Sequence, residues 1–431
     1  MKIKKAVGIF LVLSLLLAII LVPCSVSVSA QTVAQTYLDE QMEDYDLNGV
    51  VLVTKNGKVV CQSARGMANS AEGKEMTMDT LFPIGSNSKQ FCAVAILMLQ
   101  EQGKLNVEDT LSKYFPEYTI AADVTVKDLL TMRSGIREHQ EGLNREYTLS
   151  EDATSEENIQ IILEWLYTKK LLFKPGQSHR YSNANYLLLS MIVEQVSGQN
   201  YADFISESIF EPLDMNNSGF YEELMNHPDL AEYTGEVDDP IDPELKGLTQ
   251  GCGDLVSTAE DMDKWMTSLK ECTLISEESF NEMTTDYSKG TGYGYGIRLQ
   301  EDGALFHDGA IVSYLSFVFT YPEDGFNVFG VTNDIWSKGN QLMNVVFELA
   351  EELKDFEMSE ALCGDADEDG KVNIKDATAI QKHIAGLIKL SDEGYRVADV
   401  DASDSVNIKD ATAIQKHIAG METGYPIGKT I

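Results

Sequence analysis

The fifteen residues VNIKDATAIQKHIAG occur at 372–386 and again, letter for letter, at 406–420. Each copy must adopt the same local structure, which constrains folding more than any other feature of the chain. Acidic residues precede each copy at the spacing of a cation-binding loop. Asp365, Asp367, Asp369, the carbonyl of Lys371, Asn373 and Asp376 fall at positions 1, 3, 5, 7, 9 and 12, with Gly370 at the tight turn of position 6. The second loop offers Asp399, Asp401, Ser403, the Ser405 carbonyl, Asn407 and Asp410. Hard oxygen donors in this pattern suit Ca²⁺, so two calcium ions are expected. Ser403 replaces a carboxylate, and Asp404 stands where glycine is expected. Aspartate adopts the left-handed conformation only at a cost, so the second loop should bind more weakly. A loop and a helix, used twice, make a small all-α calcium-binding module.

At the other end, Lys2, Lys4 and Lys5 precede an apolar run at 6–22, and Val28-Ser29-Ala30 offers a small-residue cleavage site. Residues 1–30 therefore read as a signal peptide, which makes the mature chain secreted. No later segment reaches the ~20 apolar residues of a membrane span, so none is expected after cleavage. Acidic residues outnumber basic ones 69 to 33, a formal charge of −36. That balance repels a phosphate backbone, and no nucleic-acid partner is expected. With Cys24 removed, five cysteines remain: Cys61, Cys92, Cys252, Cys272 and Cys363. An odd number at irregular spacing is no disulfide framework, although a Cys252–Cys272 bridge stays open. The six histidines show no zinc-ligand spacing, and no cofactor is expected outside the repeats.

Between these ends, 31–45 has the pattern of an amphipathic helix. Two strands, 49–55 and 58–65, flank Asn56-Gly57, the strongest short hairpin signal. Helical periodicity dominates the middle at 124–130, 157–169 and 185–196, strand-like runs return at 293–299, 315–321 and 327–332, and 341–354 closes as a helix. Strands at both ends with helices between them predict an α+β fold: one antiparallel sheet flanked by helices, with an all-helical region inserted.

Ser86-Asn87-Ser88-Lys89 is the one S-x-x-K in the chain and leads into the apolar run at 91–99. The spacing puts Ser86 and Lys89 on one helical face. Backbone N–H groups at a helix start favour a nucleophilic oxygen, and an apolar surrounding strips the lysine proton more readily, so it can serve as base. Tyr181-Ser182-Asn183 is the one Y-x-N, and His307-Asp308-Gly309, the one H-x-G, leads into a strand-like run at 310–321.

Three elements in this order resemble the serine β-lactamase and penicillin-recognising hydrolase family, in its class C-like, D-alanyl-D-alanine carboxypeptidase and esterase branch. The phrases "LFPIGSNSKQFCAVAILMLQEQGKLNVEDTLSKYFPE", "VTVKDLLTMRSGI", "LFKPGQSHRYSNANYLLLSMIVEQVSG" and "GCGDLVSTAEDMDKWM" carry the resemblance, over about 31–350. It implies Ser86 as acylated nucleophile, Lys89 as its base and Tyr181 as proton relay to the leaving group. Asn183 would hold Lys89 and the substrate amide. The Ser86 and Ala310 N–H groups would form an oxyanion hole, and the His307–Gly309 motif would line the substrate site. The family often has lysine where this chain has His307, which weakens the grip on a substrate carboxylate, and His-Thr where it has Met132-Arg133.

The repeated tail resembles a type I-like dockerin, the module that docks enzymes onto cohesin domains of a cellulosome scaffoldin. It implies cohesin contacts at Ile374, Lys375, Gln381 and Lys382 in one copy and Ile408, Lys409, Gln415 and Lys416 in the other. Matching copies imply binding in two orientations. The expected organisation is a signal peptide at 1–30, a hydrolase domain at 31–358, a linker at 359–362 and a dockerin at 363–425. The expected function is a secreted serine hydrolase, cell-surface associated through a cellulosome engaged in polysaccharide breakdown, that acts on a small ester or amide. A true β-lactamase or D-alanyl-D-alanine carboxypeptidase, and a catalytically inactive module that only binds, are the alternatives.

Overall fold

The computed structural model describes residues 30–233, 246–287, 290–354 and 362–430. The expected signal peptide, apart from Ala30, and the expected linker, apart from Leu362, lie outside the described residues. Two compact units are present, one spanning Gln35–Phe356 and one containing Glu357–Ile431.

In the larger unit, β1 (Gly49–Lys55) and β2 (Lys58–Arg65) form the expected hairpin. Asn56 and Gly57 take the positive φ values, 50° and 74°, that a two-residue turn between twisted strands needs. From the far end of the unit come β3 (Arg298–Leu299), β4 (Leu305–Ile311), β5 (Tyr314–Tyr321) and β6 (Phe326–Thr332). The sheet runs β2-β1-β6-β5-β4-β3, antiparallel throughout. Pairing of Val51 with Gly330 makes the first strand a neighbour of the last. Both ends of the unit thus build one sheet, as the strand pattern predicts.

The longer helices are α1 (Ala30–Asp44), α2 (Ser88–Glu101), α3 (Asn183–Ser197), α4 (Ala259–Glu271) and α5 (Ile335–Leu353). Residues three apart on a strand point to opposite faces. Asn327 of β6 donates to Asp263 of α4 at 2.9 Å, whereas the space over Gly330 is filled by Val346 of α5. Helices α4 and α5 therefore cover opposite faces. Helix α2 is enclosed on all sides, with residues 91–97 fully buried, so its apolar run is continuous rather than amphipathic. Phe91 stacks on Trp265 of α4, with ring centroids 3.8 Å apart.

Two strand expectations are corrected. Within 293–299 only Arg298 and Leu299 form a strand, because glycines alternate with the large residues. Gly292 and Gly296 take φ of 63° and 68°, and the chain bends while Tyr293, Tyr295 and Ile297 stay buried. His307-Asp308-Gly309 does not lead into a strand but lies inside β4. The turn falls later, before Tyr314. All five described cysteines are free thiols, so Cys252 and Cys272 are not bridged.

The smaller unit holds α6 (Ile374–Ile384), α7 (Asp392–Ala398) and α8 (Ile408–Ile418). Its core repeats with the sequence: Ala377, Ala379 and Ile380 are buried in one copy, and Ala411, Ala413 and Ile414 in the other. Leu362 pairs with Thr430, the Cys363 N–H donates to the Lys429 carbonyl at 2.9 Å, and Ile427 joins the core.

Trp265 also donates its indole N–H to Gln90 Oε1 at 3.1 Å. Trp265→Ala should therefore cost about 3–5 kcal/mol from the lost packing, measured as a lower denaturation midpoint with unchanged slope.

Candidate active site

The stretch Asn87-Ser88-Lys89-Gln90 is polar yet fully buried, so every group needs a partner. Asn87 Nδ2 donates to Ser316 Oγ at 2.8 Å, and Ser316 Oγ donates to the Ile84 carbonyl at 2.8 Å. Ser88 Oγ donates to the Gly85 carbonyl at 2.7 Å and accepts the Leu255 N–H at 3.1 Å. Gln90 Nε2 donates to Asn87 Oδ1 at 3.0 Å. These bonds tie the start of α2 to β5 and to the short strand Leu255–Ser257 ahead of α4. Ser86 lies in a short 3₁₀ turn, Gly85–Asn87, just ahead of α2.

That turn is pressed against β4. A Cβ on Gly309 would lie 1.9 Å from the Ile84 carbonyl oxygen, and one on Gly85 2.9 Å from the Ala310 nitrogen. Glycine on both sides lets the two backbones meet. A pocket of about 30 Å³ at this junction has Ser86, Asn183 and Ala310 in its walls, room for about one water-sized group.

Lys89 Nζ donates to Ser86 Oγ at 2.9 Å and to the Cys252 carbonyl at 2.6 Å. It lies 4.9 Å from the centre of the Tyr181 ring. Desolvation lowers its pKa below the ordinary lysine value, with Cys252, Glu138, Asp254 and Asp308 acting the other way. Burial raises the Tyr181 phenol, and a hydrogen bond with Ser86 opposes that rise. A neutral amine beside a hydroxyl, with a protonated phenol on the same oxygen, can take a proton from Ser86 and pass one to a leaving group.

The His307 Nδ1–H donates to the Asp308 carbonyl at 2.7 Å, and Nε2 faces the Tyr293 hydroxyl at 3.3 Å. Both nitrogens are engaged, the residue is 1% exposed, and burial pushes its pKa well down, so the ring is neutral. Its ring centroid is 6.4 Å from that of Tyr181. The nearby cation is Arg298, which pairs with Asp308 at 3.4 Å and lies over the Tyr293 ring.

Asn183 departs from its expected place. Its Nδ2 donates to Gln140 Oε1 at 3.2 Å, and Lys89 takes the Cys252 carbonyl instead. The Asn183 backbone N–H donates to Glu138 Oε2 at 2.6 Å. Ser182, at the N-cap of α3, makes no capping bond, so Glu138 supplies that carboxylate from another segment. Burial raises the Glu138 pKa, but His139, 3.1 Å away, and the Asn183 and Gln140 N–H groups hold it below the ordinary value. Met132-Arg133 braces the same stretch. Met132 Sδ accepts from Asn185 Nδ2 at 3.1 Å, its carbonyl accepts the Arg180 N–H at 2.9 Å, and the Arg133 guanidinium donates to the Gly176 carbonyl. Glu138, Gln140, the Cys252 carbonyl and Arg298 escaped the sequence reading. The Arg137-Glu138-His139-Gln140 run has no spacing that marks it, and a carbonyl has none at all.

In the smaller unit, Asp365, Asp367 and Asp369 converge, with ligand oxygens all within 4.8 Å, and so do Asp399, Asp401 and Asp410. The two loops share their shape: Glu368 and Ala402 at position 4, and Gly370 and Asp404 at position 6, all have positive φ. Asp404 takes the left-handed conformation, at 61°. Asp376 and Asp410 each accept two backbone N–H groups, and the Asp401 Oδ1 is buried without a partner. Clustered carboxylates with an orphaned oxygen fit a hard divalent cation. Ser403 in the second loop turns its hydroxyl to Asp399 and the Ser405 carbonyl.

A family model described as Beta-lactamase matches residues 34–337. The chain belongs to this family. Beyond it, a Dockerin type I domain model matches 363–419. Among β-lactamase-family relatives, the Bacillus subtilis protein PbpX is 31% identical over 263 residues, 60% of this chain and 64% of its own length. Penicillin-binding protein 4* of the same organism is 28% identical over 313 residues, 67% of this chain and 68% of the relative. A penicillin-binding protein homologue from Pyrococcus abyssi, solved as an octamer, superposes with a TM-score of 0.64 at 27% identity, covering 77% of this chain and 80% of that one. The chain thus spans a little under two thirds of PbpX.

Because Glu138 fixes the start of α3 beside Tyr181, Glu138→Ala should lower kcat by about 10²-fold with a smaller change in KM, the cost of a small misplacement. Glu138→Gln, which keeps an acceptor oxygen, should recover part of that loss in steady-state assays.

Proposed function

We propose that this chain is a secreted serine hydrolase that forms an acyl-enzyme on Ser86 with a small ester or amide, and that its dockerin carries it to a cohesin in a cellulosome. The observation that carries the reading is the 2.9 Å contact between a fully buried Lys89 and Ser86 Oγ. Lys89 takes the Ser86 proton as Oγ attacks the carbonyl carbon, and Tyr181 hands a proton to the departing oxygen or nitrogen. The Ser86 and Ala310 N–H groups receive the oxyanion in the small pocket between them. Asn183 and Gln140 orient the acyl side, and Gly309 keeps β4 close to the nucleophile. Water then attacks the acyl carbonyl and releases the acid.

The neutral His307 supports an ester in which no carboxylate must be gripped. A β-lactamase or D-alanyl-D-alanine peptidase is the second reading, and Arg298 favours it, since its partly exposed guanidinium beside Tyr293 could receive a substrate carboxylate. The relatives' names point the same way.

In the smaller unit we infer two Ca²⁺ sites. Asp365, Asp367, Asp369, the Lys371 carbonyl, Asn373 and Asp376 would hold the first, and Asp399, Asp401, Ser403, the Ser405 carbonyl, Asn407 and Asp410 the second. Bound calcium would neutralise the carboxylates and fix the loops that launch α6 and α8. Ile374, Lys375, Gln381 and Lys382, with Ile408, Lys409, Gln415 and Lys416, are all exposed, Ile374 and Ile408 equally at 56%. Two like faces support cohesin binding in either orientation.

Intact mass after mixing with a penicillin, beside turnover of a nitrophenyl ester, tests the hydrolase reading. An adduct or turnover lost in Ser86→Ala supports it, and neither in the wild type overturns it. Lys89 acts as a base only when neutral, so kcat/KM should rise with pH through a value below the ordinary lysine pKa. Lys89→Arg, which cannot deprotonate, should lose about 10²–10⁴-fold. Calorimetry should resolve two unequal calcium affinities, the weaker one removed by Asp399→Ala. Changing Ile374 and Lys375 alone should leave cohesin binding intact, whereas changing both copies should abolish it.

A further inference from the structure

The turn that holds Lys89 is itself held by a carboxylate that takes no part in the acylation step. Within 249–254 the Cys252 and Gly253 N–H groups both donate to the Thr249 carbonyl at 2.9 Å, and Asp254 Oδ2 accepts the Gly251 N–H at 3.0 Å. Gly251 takes φ of 71°, and a Cβ on it would lie 2.7 Å from the Tyr186 carbonyl oxygen, so the turn presses against α3. The Asp254 carbonyl accepts the Tyr221 N–H at 2.8 Å, and the next N–H, of Leu255, goes to Ser88. Fixed at both ends, the turn aims the Cys252 carbonyl at Lys89 Nζ, 2.6 Å away.

Three carboxylates act on Lys89: Glu138, Asp254 and Asp308. Two of them have other partners. Asp308 pairs with Arg298, and Glu138 accepts the Asn183 and Gln140 N–H groups beside His139. Asp254 differs: its Oδ1 is buried with no hydrogen-bond partner, and Lys89 is the cation that acts on it. Desolvation pushes its carboxyl up to about 7, with the Gly251 N–H and Lys89 pulling back. The other titratable groups around the pair stay neutral. Burial raises the Cys92 and Cys252 thiols and the Tyr181, Tyr186 and Tyr201 phenols, and His307 is uncharged. Beyond Thr249, a cavity of about 510 Å³ has Glu156, Glu222, Glu223 and Lys246 in its walls, with Lys246 3.6 Å from Glu222.

We propose that Asp254 is a positioning residue for the base: its carboxylate closes the turn that presents the Cys252 carbonyl to Lys89, and its negative charge supports the ammonium that Lys89 becomes on taking the Ser86 proton. Such a charge matters most as the proton moves, because a buried ammonium has no water to turn to. Asp254 acts on the reaction through Lys89, and the proposal rests on Lys89 being the base for Ser86.

The test reads protonation rather than turnover. In the full chain, Lys89 is followed by carbon-13 NMR at its ε-carbon and Asp254 at its carboxyl carbon. Asp254→Asn keeps an oxygen to cap the turn and removes the charge, so the Lys89 midpoint should fall by about 1 pH unit, the effect of one nearby opposite charge. Asp254→Glu keeps the charge and should keep the midpoint near that of the wild type. Asp254→Ala removes the cap as well, so the Gly251 N–H should exchange with solvent about 10-fold faster than in Asp254→Asn. Linkage runs both ways: Lys89→Met should raise the Asp254 midpoint, which keeps the test decisive if Asp254→Asn does not fold. A Lys89 midpoint that stays in place in Asp254→Asn, one that falls as far in Asp254→Glu, equal exchange at Gly251 in the Asn and Ala variants, or an Asp254 midpoint indifferent to Lys89→Met would overturn the proposal. Failure of Ser86 acylation is read separately, from the wild-type mass adduct.

Discussion

Everything at the candidate site depends on keeping one lysine out of water. Desolvating an ammonium is costly, and the cost falls when the group is neutral or fully hydrogen-bonded. Lys89 has both routes: Ser86 Oγ and the Cys252 carbonyl accept from it, and burial lowers its pKa. The enclosure needs α2 in the centre of the domain, and a central helix whose cap and first three residues are polar needs a partner for each of them. The bonds of Asn87, Ser88 and Gln90 with β5, the strand at Leu255 and Trp265 follow from that requirement. The glycine junction with β4 lets the Ala310 backbone approach the turn that carries Ser86.

How much of this could be read beforehand depends on whether the constraint is local. Hairpin β1–β2 was legible because Asn-Gly dictates its own turn. The Ser86–Lys89 pairing was legible because one helical turn sets the distance between them. For Asn183 the expected partner was Lys89, yet its Nδ2 donates to Gln140, a partner that tertiary packing brings in and local spacing does not mark. At 293–299 the alternation of large residues with glycine imitates a strand, yet glycine lets the backbone turn, and those tyrosines pack around the site without a ladder. Glu138 was invisible for a related reason. A helix cap from 45 residues away leaves no periodic trace.

The smaller unit shows the opposite case. Its loops and helices are almost wholly local, and duplication makes each copy a control for the other. Left-handed φ at Gly370 and at Asp404 shows that loop shape is retained when the residue changes. An aspartate in that conformation carries a backbone cost that glycine does not. Within the side-chain donor set the two loops differ at one position, where the Ser403 hydroxyl stands for the Asp369 carboxylate. Helices α6 and α8 are identical in sequence, and the differences between the copies lie in the loops ahead of them.

The fold does not by itself say which acyl group a site of this kind would take, because one fold serves many substrates. What differs among such sites is the charge set around a common nucleophile. Here the third motif contributes a neutral imidazole whose nitrogens face inward, so it shapes the Tyr181 pocket rather than binding an anion. The neighbouring guanidinium is already paired with Asp308, and an incoming carboxylate would have to displace or share that partner. On the side reached past Thr249 the field has the opposite sign, with carboxylates outnumbering the one lysine. The small pocket thus lies between a guanidinium already paired with a carboxylate and a cavity lined by more carboxylates than lysines, and charge selectivity at such a site would come from that difference rather than from His307.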